Sequence, residues 1–191
     1  MNINEDQFRK PLKILNKGMV FLWQTGLAGW LNIWPAVFGR FLVISHKGRK
    51  TGKIYHNMVN YAELDGEFYC LAGFGAKTDW YQNLKANPQT EVWLKDGWFQ
   101  ANAEEVNNDL NRISILREVL IGSGIVAPLI GINVAKLDDT ALGEITSNYR
   151  LIHLKQESLK TDSSRQYQYV WIWQVIAGIL ALELIRKRKN K

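Results

Sequence analysis

The stretch "ISHKGRKTGKIYHNMVNY", residues 44 to 61, sets two apolar, β-rich arms around a short core of Gly48, Arg49, Lys50, Thr51, Gly52 and Lys53. β-branched and aromatic residues flanking a glycine-bounded turn predict a hairpin, with strands over Phe41 to Ser45 and Lys53 to Leu64. The turn is cationic. Glycine lets neighbouring backbone N–H groups face outward beside Arg49 and Lys50, which together can hold an anion. The plainer alternative is a solvated turn, because runs of charge usually face water.

Downstream, Asp65-Gly66 is a hairpin turn signal that returns the chain as a strand over Glu67 to Ala72, and Asp96-Gly97 repeats it between Glu91 to Leu94 and Trp98 to Val106. Asp79 to Asn87 predicts a short helix, with Asp79 placed to cap its start and Pro88 just beyond its end. Asp109 to Leu120 has a helical pattern, Gly122 to Gly131 reads as a loop or broken helix, and Tyr149 to Lys155 as a last strand. Two hairpins and a closing strand predict an antiparallel barrel decorated by helices.

Upstream, Phe8, Leu12, Leu15, Met19 and Leu22 recur at helical steps, with Lys10, Lys13 and Lys17 on another side. That basic amphipathic helix runs into Gly18 to Gly39, a charge-free stretch of 22 residues. Its length reaches that of a membrane span, but Gly26, Gly29, Asn32 and Pro35 interrupt it, which suits a broken helix over a pocket or in the membrane interface. A secretory signal would also have a basic start and an apolar middle, but lacks its small-residue cleavage site here. At the other end, polar residues 155 to 168 resemble a linker. Val170 to Leu182 is charge-free and follows a cluster of Tyr167, Tyr169, Trp171 and Trp173 like that of an interfacial belt. The domain reading is therefore a helical segment over residues 1–40, a barrel over 41–156, a linker over 157–169 and an apolar helix with a basic tail over 170–191.

Composition limits the chemistry. The net charge is +6, but Arg186, Lys187, Arg188, Lys189 and Lys191 supply five of those charges, so the body is close to neutral. A basic tail beside an apolar segment suits an anionic membrane surface, and no zinc-finger, RNP-type or basic-zipper pattern points to nucleic acid. Cys70 is the one cysteine, which rules out a disulfide framework, and His46, His56 and His153 lack partners at metal-ligand spacing, so no metal site is expected. Gly48 to Lys53 is one residue short of the phosphate-loop spacing of nucleoside triphosphatases and is followed by Ile54 rather than Ser or Thr. Gly73-Phe74-Gly75-Ala76-Lys77-Thr78 lacks the third glycine of a dinucleotide fingerprint. Ser45 and His46 alternate across one strand, which keeps them from forming a nucleophile and base pair.

"GRKTGK" followed by "LDGEFYCLAGFGAKTDWYQNLKANP" resembles the deazaflavin-dependent nitroreductase family of split β-barrel oxidoreductases. That family shows a G-R-K-[ST]-G loop, a D-G hairpin, a small-residue glycine turn and a W-Y-x-N-L-x-A-N-P helix, in this order. The resemblance covers residues 43 to 106. It implies an α+β fold with an FMN-binding-like, antiparallel split β-barrel, and reduced coenzyme F420, bound in the barrel, as hydride donor. It further implies that Lys47, Arg49 and Lys50 bind the coenzyme's phosphate and acidic polyglutamate tail, with Thr51 and Gly52 shaping the loop. Gly75, Ala76 and Lys77 would pass backbone groups along the ring system, buttressed by Trp80 and Asn83. Family members often carry a proline before the W-Y pair and a slightly longer turn, where Thr78-Asp79 stands here, so a carboxylate near an anionic cofactor must point away or cap the helix. Read as residues alone, Trp80 and Leu84 are ordinary core positions and Asn83 an ordinary brace of a turn.

The function this implies is an F420-dependent oxidoreductase passing hydride to an apolar, electron-poor acceptor: a quinone, an unsaturated lipid or a nitroaromatic. The cofactor carries the chemistry and the protein positions it. Ser45, Tyr55 and Tyr61 are the candidates to supply a proton. The aromatic-rich ends favour a peripheral or monotopic place on the cytoplasmic face of the membrane, with a two-span protein as the alternative. A split barrel binding FMN or haem, or a cofactor-free membrane-attached module, is the competing class.

Overall fold

The computed structural model describes residues 5–27, 39–94, 97–107, 111–161 and 169–189. Helix α1, Glu5–Gln24, leads to six strands: β1 Phe41–Lys47, β2 Ile54–Leu64, β3 Glu67–Ala72, β4 Gln89–Leu94, β5 Gly97–Glu105 and β6 Arg150–Gln156. Helix α2, Asp79–Ala86, joins β3 to β4. Three helices, α3 Arg112–Gly122, the four-residue α4 Val126–Leu129 and α5 Asp139–Ile145, lie between β5 and β6, and α6, Trp171–Lys189, ends the chain.

The strands close into an antiparallel barrel in the order β1-β2-β3-β6-β5-β4, with β4 returning to β1 at Val43 to Ser45. The expected turn chemistry is present at the β2–β3 hairpin, where Asp65 and Gly66 both take positive φ, 53° and 81°. That pair matches the right-handed twist of the strands it joins. Asp96 of the second hairpin lies outside the described residues.

Side chains fill the barrel. Leu42 and Ile44 of β1, Val59 of β2, Phe68 and Cys70 of β3, Val92 of β4, Phe99 and Ala101 of β5, and Ile152 and Leu154 of β6 form one cluster with Trp80, Tyr81 and Leu84 of α2. Phe68 and Phe99 meet across it with ring centroids 5.1 Å apart. A small barrel has room for its own side chains and little more, so a ligand bound in the barrel, as the sequence led us to expect, has no space there.

Two outer layers cover the sheet. On one side Trp23 of α1 is 1% exposed and packs with Val43 and Trp93, and Asn16 is clamped to β2 by accepting from the Met58 N–H (2.8 Å) and donating to the His56 carbonyl (3.3 Å). On the other side Ile115 and Val119 of α3 cover Ala62 and Leu151. Behind them Leu116 and Leu120 pack on Ala127, Ile132, Val134 and Leu142.

The charge-free run from Gly18 to Gly39 is helical through Gln24, and residues 28–38 lie outside the described residues, as do 162–168 of the expected linker. Thr161 is not free linker: it pairs with Trp98. Among the described residues no helix is long and apolar enough to cross a membrane, so neither span of the two-span alternative is found there. Helix α6 is tied at its root, where Tyr169 N–H donates to the Gln24 carbonyl (2.9 Å) and Trp173 Nε1 to the Thr25 carbonyl (2.8 Å).

Candidate functional site

The β1–β2 turn holds itself together. Gly48 N–H donates to the Lys53 carbonyl and Gly52 N–H to the Gly48 carbonyl, both at 2.8 Å. Gly48 lies under the Tyr55 ring, and a Cβ there would sit 2.5 Å from Tyr55 Cε2. The glycine thus lets Tyr55 fold over the loop, where its hydroxyl pairs with Thr51 Oγ1 at 3.0 Å. Gly52 takes φ +67°, a left-handed conformation that costs glycine little. The Lys47, Lys50 and Lys53 side chains are exposed.

Arg49 instead turns back onto α2. Its backbone N–H and its Nη1 both donate to Asn83 Oδ1, at 3.1 and 2.9 Å. Nη1 also reaches the Asp79 carbonyl and Nη2 the Asp79 carboxylate, each at 3.3 Å. Asp79 and Asn83 are four residues apart and share one face of the helix. Asp79 therefore does not cap α2 as the sequence suggested. Thr78 holds the N-cap position without a side-chain cap bond, and Asp79 is the loop arginine's ion-pair partner.

Arginine only donates, so Asn83 Oδ1 must face it and the amide nitrogen must face the other way. There it donates to His46 Nδ1 at 3.2 Å. That nitrogen is consequently unprotonated, and His46 Nε2 carries the hydrogen it donates to Asn57 Oδ1 at 2.8 Å. The result is a polarised chain, Arg49 to Asn83 to His46 to Asn57, running from the loop into the end of the barrel. His46 is 1% exposed. Burial lowers its pKa below the ordinary histidine value, opposed by the Asn57 hydrogen bond and the charge of Asp79.

The opposite face of β1 carries a pairing that the sequence reading passed over. Ser45 and His56 stand directly across the β1–β2 ladder, and Ser45 Oγ lies 2.7 Å from His56 Nδ1. The His56 ring packs on Trp93 with centroids 4.6 Å apart. Burial lowers its pKa, while Glu91 opposes the shift and His46 adds to it.

The second expected segment leads into α2. Gly75–Lys77 is a single 3-10 turn, Gln82 Nε2 donates to the Ala76 carbonyl at 2.6 Å, and Gly75 is buried against the Asn148 carbonyl. Of the candidates, Lys47, Arg49, Lys50, Thr51, Gly52, Tyr55 and Asn83 meet at one corner, with Gly75, Ala76 and Lys77 on the approach to α2. Trp80 is 8% exposed and sits in the barrel core, so it touches that corner only through packing. Ser45 faces the α1 layer, and Tyr61 packs against Phe68 at 5.9 Å, so neither joins it. His46 and Asn57 do, although neither drew notice as a site residue. Their sequence signal was the hairpin register, which sets His46 diagonally from Asn57.

Tyr81 donates to the Glu105 carboxylate at 2.6 Å, and burial, together with that contact, pushes its phenol up to about 12. It lines a cleft of about 190 Å³ with Lys85 and Pro88 that shares no residue with the loop. No group of three or more His, Cys, Asp or Glu among the described residues is placed to hold a metal ion.

The corner suits a polyanion. Lys47 and Lys50 are exposed, three of the five Arg49 N–H groups are committed, and Thr78 Oγ1 beside them is buried with no hydrogen-bond partner among the described residues. The closed antiparallel barrel is the frame of a split-barrel fold. Residues 34–120 match the family described as F420H(2)-dependent quinone reductase, a match that supports coenzyme F420 as the cofactor. Similar solved structures include the conserved hypothetical protein Rv2991 from Mycobacterium tuberculosis, at 17% identity over 68% of this chain and 83% of that one, TM-score 0.48. The heme storage protein HutZ from Vibrio cholerae shows 14% identity over 66% and 88%, TM-score 0.45. The F420-H2 dependent reductase FDR-A shows 18% over 61% and 94%, TM-score 0.45. No curated protein matches the sequence.

Proposed function

We propose that the corner between the β1–β2 loop and α2 binds the anionic part of coenzyme F420 outside the barrel, and that the enzyme reduces an apolar, electron-poor acceptor of the quinone class at a membrane surface. The observation that carries this reading is the cationic loop, ordered by its own backbone and by Asn83, within a chain that matches an F420-dependent family. Lys47 and Lys50, with the uncommitted N–H groups of Arg49, hold phosphate and carboxylates, and Thr51 and Gly52 shape the turn. The backbone of Gly75, Ala76 and Lys77 would hold the ring system. When bound, the reduced coenzyme supplies the hydride. Tyr55 is the proton donor of this reading, because its hydroxyl stands at the loop while Ser45 and Tyr61 face elsewhere. An unsaturated lipid or a nitroaromatic shares the acceptor chemistry and is compared in the same assay.

The membrane part rests on α6. Trp171, Val175, Ile179, Leu180 and Leu182 are each half or more exposed, over about half of the helix circumference, with exposed Arg186 and Lys187 beyond them. Ile14 and Phe21 of α1 are exposed as well. Apolar residues flanked by cations favour a peripheral seat on an anionic bilayer.

Titrating the purified protein with F420, FMN and haem tests the cofactor, and oxidation of reduced F420 with a quinone, an enoyl lipid or a nitroaromatic tests the acceptor. F420 uptake with quinone-dependent turnover is expected. Replacing both Arg49 and Lys50 with Ala should weaken F420 binding about tenfold or more, as lost charge-assisted bonds do. Uptake of FMN or haem without any response to F420 would overturn the reading.

A further inference from the structure

We infer that His46 is a positioning residue: in its neutral form it fixes the Asn83 amide, which holds Arg49 and the loop, and a proton on its Nδ1 releases them. The inference rests on the proposed F420 site and names its regulation. Asn83 has one arrangement that satisfies both neighbours, oxygen toward Arg49 and nitrogen toward His46 Nδ1. A proton on Nδ1 would set that N–H against the Asn83 NH2 group. Rotating the amide by half a turn only moves the clash, because its NH2 would then meet the two Arg49 donors. Asn83 is 6% exposed and His46 1%, so water does not stand in, and a buried donor without an acceptor is costly. Either way the Asn83 bonds to Arg49 weaken and the loop loses its tie to α2.

The charged and titratable groups around His46 are few. From α2 the Asp79 carboxylate acts on it, countered at close range by Arg49 of the loop. From β2, Tyr55 stacks with its ring at a centroid distance of 6.1 Å, and the charge of His46 in turn acts on His56 through the sheet. Burial favours the neutral ring over these influences, so the locked arrangement is the one present at neutral pH. Protonation becomes competitive only on the acid side of the ordinary histidine value.

Two measurements decide this. F420 affinity is compared at pH 7.5 and pH 5.5 for the wild type and for His46→Asn, whose amide oxygen accepts from Asn83 as Nδ1 does but takes up no proton. The wild type should lose about two- to tenfold more affinity than H46N over this interval, tenfold being the ceiling for a histidine whose pKa lies below its ordinary 6.5; the coenzyme's own ionisation is common to both proteins and cancels. Equal losses would overturn the inference. In parallel, the apoprotein is titrated by NMR, following the His46 ring nitrogens and the Arg49 backbone amide. The Arg49 signal should move with the His46 titration in the wild type and stay fixed in H46N, and an Arg49 amide that ignores His46 overturns the inference without any coenzyme present. A wild type that shows the NMR coupling yet binds no F420 instead refutes the proposed function and leaves the His46 switch standing.

Discussion

Arg49 spends much of its hydrogen-bonding capacity inside the protein, on Asn83 and on Asp79, whose carboxylate is 71% exposed. An incoming anion must either share the guanidinium with that carboxylate or displace it. Asp79→Asn should therefore raise F420 affinity about two- to fivefold, the scale of an exposed ion pair, and salt should shrink the gain. Fluorescence titrations of both proteins at low and high ionic strength measure it, and an unchanged or weaker affinity would show that Asp79 helps the site. The loop cations were legible in the sequence because glycine and charge sit side by side there. The Asp79 pairing was not, since the two residues stand 30 positions apart and meet only after α2 folds across the barrel end. For the same reason the bonds from Arg49 to Asn83 could not be read from the sequence.

At the level of elements, alternation and turn chemistry read well. Glu67–Ala72 has the bounds that Asp65-Gly66 and the returning strand predicted, and the other strands and α2 differ by a residue or two at their ends. The helix expected from Asp109 begins at Arg112, and Asp109 lies outside the described residues. Helix α5 was not anticipated: it is seven residues long, and its main local signal is Asp138, whose carboxylate accepts the Ala141 N–H at 2.7 Å. Helix α6 was anticipated as an apolar segment, and its exposure gives the next test. Removing residues 170–191 should abolish pelleting with anionic liposomes and leave F420 binding intact, whereas equal pelleting would argue against α6 as the anchor. Neutral liposomes should retain less of the full protein, because Arg186 and Lys187 find no charge there.

Two histidines held neutral give the whole molecule a pH dependence. Both His46 and His56 have pKa values lowered in the fold, chiefly by burial. Below their unfolded value near 6.5 the unfolded chain binds more protons than the native one, so stability is full above that pH and falls as pH drops toward the native-state values. Urea midpoints should accordingly decline from pH 7.5 to 5.5, and H46N should remove part of that decline; a midpoint independent of pH would contradict the buried, neutral histidines. The global arrangement was the least legible level. Local signals mark hairpins, but the ladders between β3 and β6 and between β4 and β1 join strands far apart in the chain, and α2 as the plug of the barrel follows only from that closure.

Closure also decides how copies of this chain can meet. Each of the six strands has a neighbour on both sides, so among the described residues no strand leaves a whole edge open for a second molecule to extend. Ladder extension, the usual start of fibrous aggregation, is denied to the folded barrel. The exposed apolar residues of α6 are then the surface through which crowding without lipid would be felt.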